Sequence, residues 1–221
     1  MIAWPRRRPI LYFVTDRTRL PSHSVTHLLS VIRAATQAGI DAIQIRERDL
    51  SDRILIGLLR EALAITRSAR VPLLVNDRVD IALAGGAAGV HLREDSVAVD
   101  RVRTMVPPGF TIGRSVHSLA AAEMAARAGC DYVLFGTIFR SASKPAGHST
   151  VGTSPLAEMC RRIEVPVLAI GGIDESNASH IGGAGAAGIA AVGAFQTDDE
   201  SALAARLAAI RDAFDRGSRL V

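Results

Sequence analysis

Apolar residues along this chain come in two alternating rhythms. Short apolar runs that lack a polar partner at every second position suit a parallel sheet covered on both faces. The clearest is 165–173, with a similar unit at 185–195, and further strands read at 10–16, 41–48, 71–75, 89–92, 111–117 and 132–136, several of them with polar ends. Between them, apolar residues recur at helical spacing. Val25, Leu28, Leu29 and Ile32 form one stripe, closed by Gly39, and Leu55, Leu58, Leu59 and Ala62 form a second behind a cap at Ser51 or Asp52. A short segment at 80–84 and helices at 97–106, 118–128 and 155–163 follow. The last helix begins near Asp199, with Leu203, Leu207, Ile210 and Phe214 on one face. Pro107-Pro108-Gly109 stops the 97–106 helix, and Gly129 closes the next.

Strand and helix units in strict alternation predict a parallel sheet. Eight of them fit a single-domain (β/α)8 TIM barrel, and a doubly wound open sheet is the alternative. No Gly-x-Gly-x-x-Gly follows the first run, so the dinucleotide-binding version has little support. The expected organisation is an N-terminal extension over 1–9, the barrel over 10–216 and a frayed tail over 217–221.

Composition agrees with one domain. The chain has 221 residues, 48% hydrophobic and only 4% aromatic, which implies an aliphatic core. The net charge of +4 is modest, and the run Arg6-Arg7-Arg8 is too short to argue for nucleic-acid binding. It favours anionic small molecules. Cys130 and Cys160 lack metal-ligand spacing and read as buried, inert thiols. Residues 1–9 carry charge without an apolar stretch, so they do not read as a secretory signal, and no run is long enough to span a bilayer. The expectation is a cytoplasmic protein without membrane or nucleic-acid partners. A homo-oligomer is left open.

In a (β/α)8 barrel, polar residues at the strand C-termini face one mouth. Here that set includes Asp16, Gln44, Arg46, Glu47, Arg48, Asn76 and Asp77 from the first three runs. Ser115 and His117 join it from the fifth. Ser141, Ser143 and Lys144 come from the aperiodic stretch 140–150, a candidate lid. The last two runs are glycine-rich at their ends. Gly171 and Gly172, with a turn at Gly193, suit a phosphate held by backbone N–H groups. Several Arg and Lys side chains beside such a turn suit a substrate with one or two phosphate groups. Asp77 could hold Mg²⁺ if a pyrophosphate is present. His117 is either a hydrogen-bonded core residue or a proton-transfer group, whereas His91 reads as structural.

The motifs Tyr12-Phe13-Val14-Thr15-Asp16, Gln44-Ile45-Arg46-Glu47-Arg48, Asn76-Asp77-Arg78, Gly113-Arg114-Ser115-Val116-His117 and Ile170-Gly171-Gly172-Ile173, in this order, resemble the thiamine phosphate synthase/TenI superfamily over nearly the whole chain. The resemblance implies a barrel that binds a thiazole phosphate. Two activities lie within it. In the synthase, a pyrimidine pyrophosphate ionises and the thiazole nitrogen attacks the cation, with Mg²⁺ assisting. Arg46, Asn76, Asp77, Ser115 and Lys144 match that pattern. Arg48 stands where the synthase has Lys, and Ser96 stands where it has its second metal-binding Asp, one residue after Asp95. The Arg-Glu-Arg triplet and the Gly-Arg-Ser-Val-His stretch look more like the TenI branch, a thiazole tautomerase that needs no metal and in which His117 would move the proton. The expectation is therefore a tautomerase, with catalytic His117 and Arg46. Gln44, Arg48, Asn76, Ser115, Ser141, Ser143 and Lys144 would bind substrate. The synthase is the alternative, and a non-catalytic thiazole phosphate-binding relative is a second.

Overall fold

The structure, a computed structural model, describes residues 2–141 and 149–219. Eight parallel strands close on themselves in sequence order. They are β1 (Ile10–Val14), β2 (Ala42–Ile45), β3 (Leu73–Asn76), β4 (Gly89–Leu92), β5 (Thr111–Val116), β6 (Tyr132–Gly136), β7 (Val167–Ile170) and β8 (Gly188–Ala191). Pairing of Leu11 with Ile189 shuts the ring. The helices are α1 (Val25–Gln37), α2 (Asp52–Thr66), α3 (Val79–Gly85), α4 (Val99–Met105), α5 (Leu119–Arg127), α6 (Thr153–Arg162), α7 (Ala178–Gly183) and α8 (Glu200–Ser218). The TIM barrel read from the sequence is the architecture observed, and the open sheet is excluded. No helix among the described residues is long and apolar enough to cross a membrane.

Each strand has two populations of side chains, because neighbours point to opposite faces. Leu11, Phe13, Ile43, Val75, Val90, Ile112, Val133 and Ile189 point outward into one continuous core against the helices. Tyr12, Val14, Leu74, Tyr132, Leu134, Leu168 and Ala190 fill the barrel interior as a second, smaller cluster. Gly113 makes room inside. A Cβ there would lie 2.1 Å from the Tyr132 ring.

The strands are shorter than the apolar runs suggested. β2 ends at Ile45, β7 starts at Val167 and β8 spans only Gly188–Ala191, so the remaining residues of each run form the loops at the two ends of the barrel. Two features had no sequence expectation. One is a 3₁₀ turn at Arg17–Arg19. The other is α7, six residues long, set tightly against α8. A Cβ on Gly182 would meet the Phe214 carbonyl oxygen at 2.1 Å, and one on Gly217 would meet that of Ser179 at 1.8 Å. The expected caps are partly realised. Ser118 accepts from Ala121 N, and Asp199 accepts from Ala202 N. At α2, Ser51 is the N-cap residue but makes no capping bond, and Asp52 instead pairs with Arg78 at 2.5 Å.

The stretch before β1 reaches the floor of the barrel. Trp4 stacks flat on Tyr132, centroids 4.1 Å apart and planes 2° apart, and meets Tyr12 edge-on at 5.6 Å.

Candidate active site

A cavity of about 830 Å³ opens at the C-terminal ends of the strands. Gln44, Arg46, Arg48, Asn76, Ser115 and His117 all line it, as do Ser141, Gly171, Gly172 and Gly193. The barrel register explains the convergence. Asn76 pairs with His91 across β3 and β4, and the inward positions of every strand rise to this one mouth. Ser143 and Lys144 lie outside the described residues.

Beneath the mouth runs a hydrogen-bonded chain. Gln44 Nε2 donates to Asn76 Oδ1 at 2.9 Å, and Tyr12 OH donates to Gln44 Oε1 at 3.2 Å. Tyr12 and Tyr132 hydroxyls are 2.9 Å apart. Tyr132 OH reaches His91 Nδ1 at 2.9 Å, and His91 Nε2 reaches Ser115 Oγ at 2.9 Å. Burial, and then Arg114, push the His91 pKa down to about 3, so its ring is neutral. Burial likewise holds both tyrosines protonated. His91 supports the sequence reading in being buried and bonded, yet it also lines the cavity. That second property was illegible without the strand register, which sets which face a residue occupies.

Arg46 and Glu47, adjacent in sequence, face opposite ways. Arg46 projects into the cavity, with Nη1 3.8 Å from Asp16 Oδ2. Burial, and then neighbouring Arg48, lower its pKa from the ordinary value. Glu47 is only 5% exposed. It accepts from Thr15 Oγ1 at 2.6 Å and from the Arg17 N–H at 3.0 Å. Burial raises its pKa against those donors. Glu47 thus anchors the turn after β1 and does not line the cavity. His117 sits at the rim. A carbonyl can only accept, so Nδ1–H donates to Gly136 O at 2.8 Å. Nε2 is left outward, 3.7 Å from Glu94 Oε2.

The glycine turn after β7 has the backbone that a phosphate cradle requires. Gly171 and Gly172 have φ of +106° and +65°. A Cβ on Gly172 would meet Arg140 O at 2.2 Å. In the adjacent loop, after β8, the Arg19 guanidinium lies 3.5 Å from where a Gly193 Cβ would be.

Asp77 is a poor fit to the metal role. It adopts φ +65° just past β3 and is not among the residues lining the cavity. One carboxylate oxygen accepts from the Ser96 hydroxyl, and the other faces Arg93 Nη1 at 3.7 Å. Asp95 lines the cavity and pairs with Arg93, so the same guanidinium stands against both carboxylates. Among the described residues no group of three or more His, Cys, Asp or Glu could hold a metal ion. Mg²⁺ takes near-octahedral oxygen coordination. These residues do not supply it.

Comparisons with known proteins bear on the activity. The sequence profile of the family described as thiamine monophosphate synthase matches residues 11–195. A thiamine-phosphate synthase of Roseiflexus castenholzii is 42% identical over 193 residues, 87% of this chain and 83% of that protein. One from a second Roseiflexus strain is 39% identical over 220 residues, 99% of this chain and 92% of its own length. A solved structure, thiamine phosphate pyrophosphorylase from Pyrococcus furiosus, superposes with a TM-score of 0.79 at 29% identity, covering 94% of this chain and 96% of that one. These findings overturn the expected tautomerase. The relatives carry the synthase name, so the isomerase assignment, drawn from Arg48, Ser96 and the Gly-Arg-Ser-Val-His stretch, is withdrawn, and the transferase alternative is the one they favour.

Proposed function

This chain belongs to the thiamine monophosphate synthase family, and from that premise we propose that it joins a hydroxymethylpyrimidine pyrophosphate to a thiazole phosphate, releasing pyrophosphate. The observation that carries the reading is the convergence of Gln44, Arg46, Asn76 and Ser115 on one cavity whose opposite wall is the Gly171-Gly172 turn. A monophosphate fits the backbone N–H groups of that turn and of Gly193. Arg46, Arg48, Arg93 and Arg140 line the rest of the rim and suit a pyrophosphate.

In this reaction the bond between the pyrimidine's exocyclic carbon and the pyrophosphate oxygen breaks, and the electron pair leaves with the pyrophosphate. The thiazole nitrogen then donates its lone pair to that carbon, forming the new C–N bond. Negative charge grows on the departing oxygens, so preorganised guanidinium groups lower the barrier. Arg46 is the best placed, because it is partly withdrawn from water. Gln44 and Asn76, fixed in the chain to Tyr12, present amide groups to the pyrimidine. His117 Nε2 offers a further hydrogen bond at the rim. No step here runs through a metal.

The test is direct. Purified protein mixed with both substrates is expected to form thiamine phosphate with one equivalent of pyrophosphate. Arg46→Ala is expected to lower kcat/KM by roughly 10²–10³-fold. Folded protein that forms no product, with and without Mg²⁺, would sink this reading.

A further inference from the structure

We propose that Arg93 takes the place of a divalent cation at this mouth, so that the pyrophosphate end of the substrate is held by guanidinium groups without Mg²⁺. The inference rests on the synthase reading for its substrate but on the local geometry for its substance.

Asp77 is the carboxylate that the synthase reading would assign to the metal, and each of its oxygens already has a partner. Ser96 Oγ donates to the first, and Arg93 Nη1 stands 3.7 Å from the second. Ser96 is itself fixed, because its hydroxyl oxygen accepts from the Arg93 backbone N–H at 2.9 Å. The Asp77 N–H is bonded to His91 O at 2.9 Å, which holds the residue in its left-handed conformation. The loop carrying Arg93 and Ser96 is clamped from outside. Arg114 donates to Val97 O at 2.8 Å and to Glu94 O at 2.7 Å. Serine, aspartate and arginine are thus positioned by the backbone of two strands, not by chance encounter at a rim.

A divalent cation on Asp77 would share its carboxylate with the Ser96 hydroxyl and sit beside a permanent positive charge, and that repulsion is unfavourable. Arg93 supplies the same sign of charge from a group that is always protonated and has five N–H donors. It already lines the cavity. Its other partner, Asp95, has a side chain 68% exposed, so that pairing is weak and exchanges readily for phosphate oxygens. A planar fork also matches two phosphate oxygens at once.

The test uses inorganic pyrophosphate and Mn²⁺ with the full chain. Pyrophosphate binding is measured calorimetrically in EDTA for the wild type, Arg93→Ala and Arg93→Lys, and melting curves confirm that each folds. Arg93→Ala is expected to weaken binding about tenfold, with Arg93→Lys intermediate because charge survives and the fork does not. Electron paramagnetic resonance of Mn²⁺ with pyrophosphate is expected to show no protein-bound metal in the wild type, and a bound signal in the double variant R93G/S96D. A wild-type Mn²⁺ signal that Asp77→Asn abolishes would overturn the proposal, as would pyrophosphate affinity in EDTA that Arg93→Ala leaves unchanged. Absence of thiamine phosphate synthesis would remove the proposed function while leaving these binding results to decide Arg93 by themselves.

Discussion

His91 is an imidazole that the fold keeps neutral, with both ring nitrogens bonded inside the barrel. Its pKa falls from 6.5 to about 3 in the folded state. The unfolded chain therefore binds a proton at this residue below pH 6.5 that the folded chain refuses, so stability is full above 6.5 and is lost as pH falls toward 3. Glu47 acts with the opposite sign, because its raised pKa lets the folded state take a proton first. Comparison with His91→Gln separates the two. Between pH 6.5 and 5 the wild type is expected to lose about 2 kcal/mol more than the variant, read from urea unfolding at each pH. Equal slopes would show that His91 is not held neutral. Of the two cysteines expected to be buried, Cys130 is buried and Cys160 only partly so, and burial pushes both thiols up to about 11. His91 shows the limit of that kind of reading. A histidine in a four-residue strand is legible as buried, but whether it faces helix or cavity is decided by a register that no local pattern contains.

At the scale of elements, the eight strands and most helices were legible because each carries its own apolar rhythm. What was not legible is what glycine does between elements. Gly171 and Gly172 read correctly as a turn of unusual backbone, since their end-of-strand position signals it. Gly182 and Gly217 carry no such signal. The sequence predicts no helix at Gly182 and a frayed tail at Gly217, whereas both lie in helices, and the approach of α7 to α8 leaves no room for a Cβ on either. These pairs give different expected outcomes on substitution. Gly172→Ala places a Cβ 2.2 Å from Arg140 O in a backbone that L-residues avoid. It is expected to raise KM for the thiazole phosphate about tenfold, with a smaller change for the pyrimidine substrate, in steady-state assays. Gly217→Ala, aimed at the Ser179 carbonyl far from the cavity, is expected to cost about 1–3 kcal/mol of stability while folded enzyme keeps its kcat/KM. If both variants changed only Tm, the turn after β7 would not be the phosphate anchor.

For the whole molecule, the two ends of the barrel have separate tasks. The C-terminal mouth gathers the arginines and amides of the cavity, whereas the opposite end is closed by Trp4 lying on Tyr132. The alternation of eight units dictated the barrel, and the barrel dictated where the polar strand ends meet. Neither could dictate the plug, because a single tryptophan beside Pro5 and three arginines has no periodicity to interpret. The loop that carries Ser143 and Lys144 is equally aperiodic. The plug touches the same tyrosine that bonds to His91, and His91 bonds to Ser115 at the mouth, so a physical route joins the two ends. Whether it carries energy depends on which contacts hold Tyr132. Its hydroxyl is tied by Tyr12 and His91 and its ring is seated over Gly113, all without Trp4. Trp4→Ala is therefore expected to reduce stability by about 2 kcal/mol, less than a fully buried tryptophan, and to lower Tm by several degrees. Its kcat/KM for both substrates is expected to stay within about twofold of wild type, since the chain from Tyr12 to Ser115 keeps all its own bonds. A tenfold loss in kcat/KM from folded Trp4→Ala, measured below its melting transition, would show that the floor of the barrel sets the geometry of the mouth.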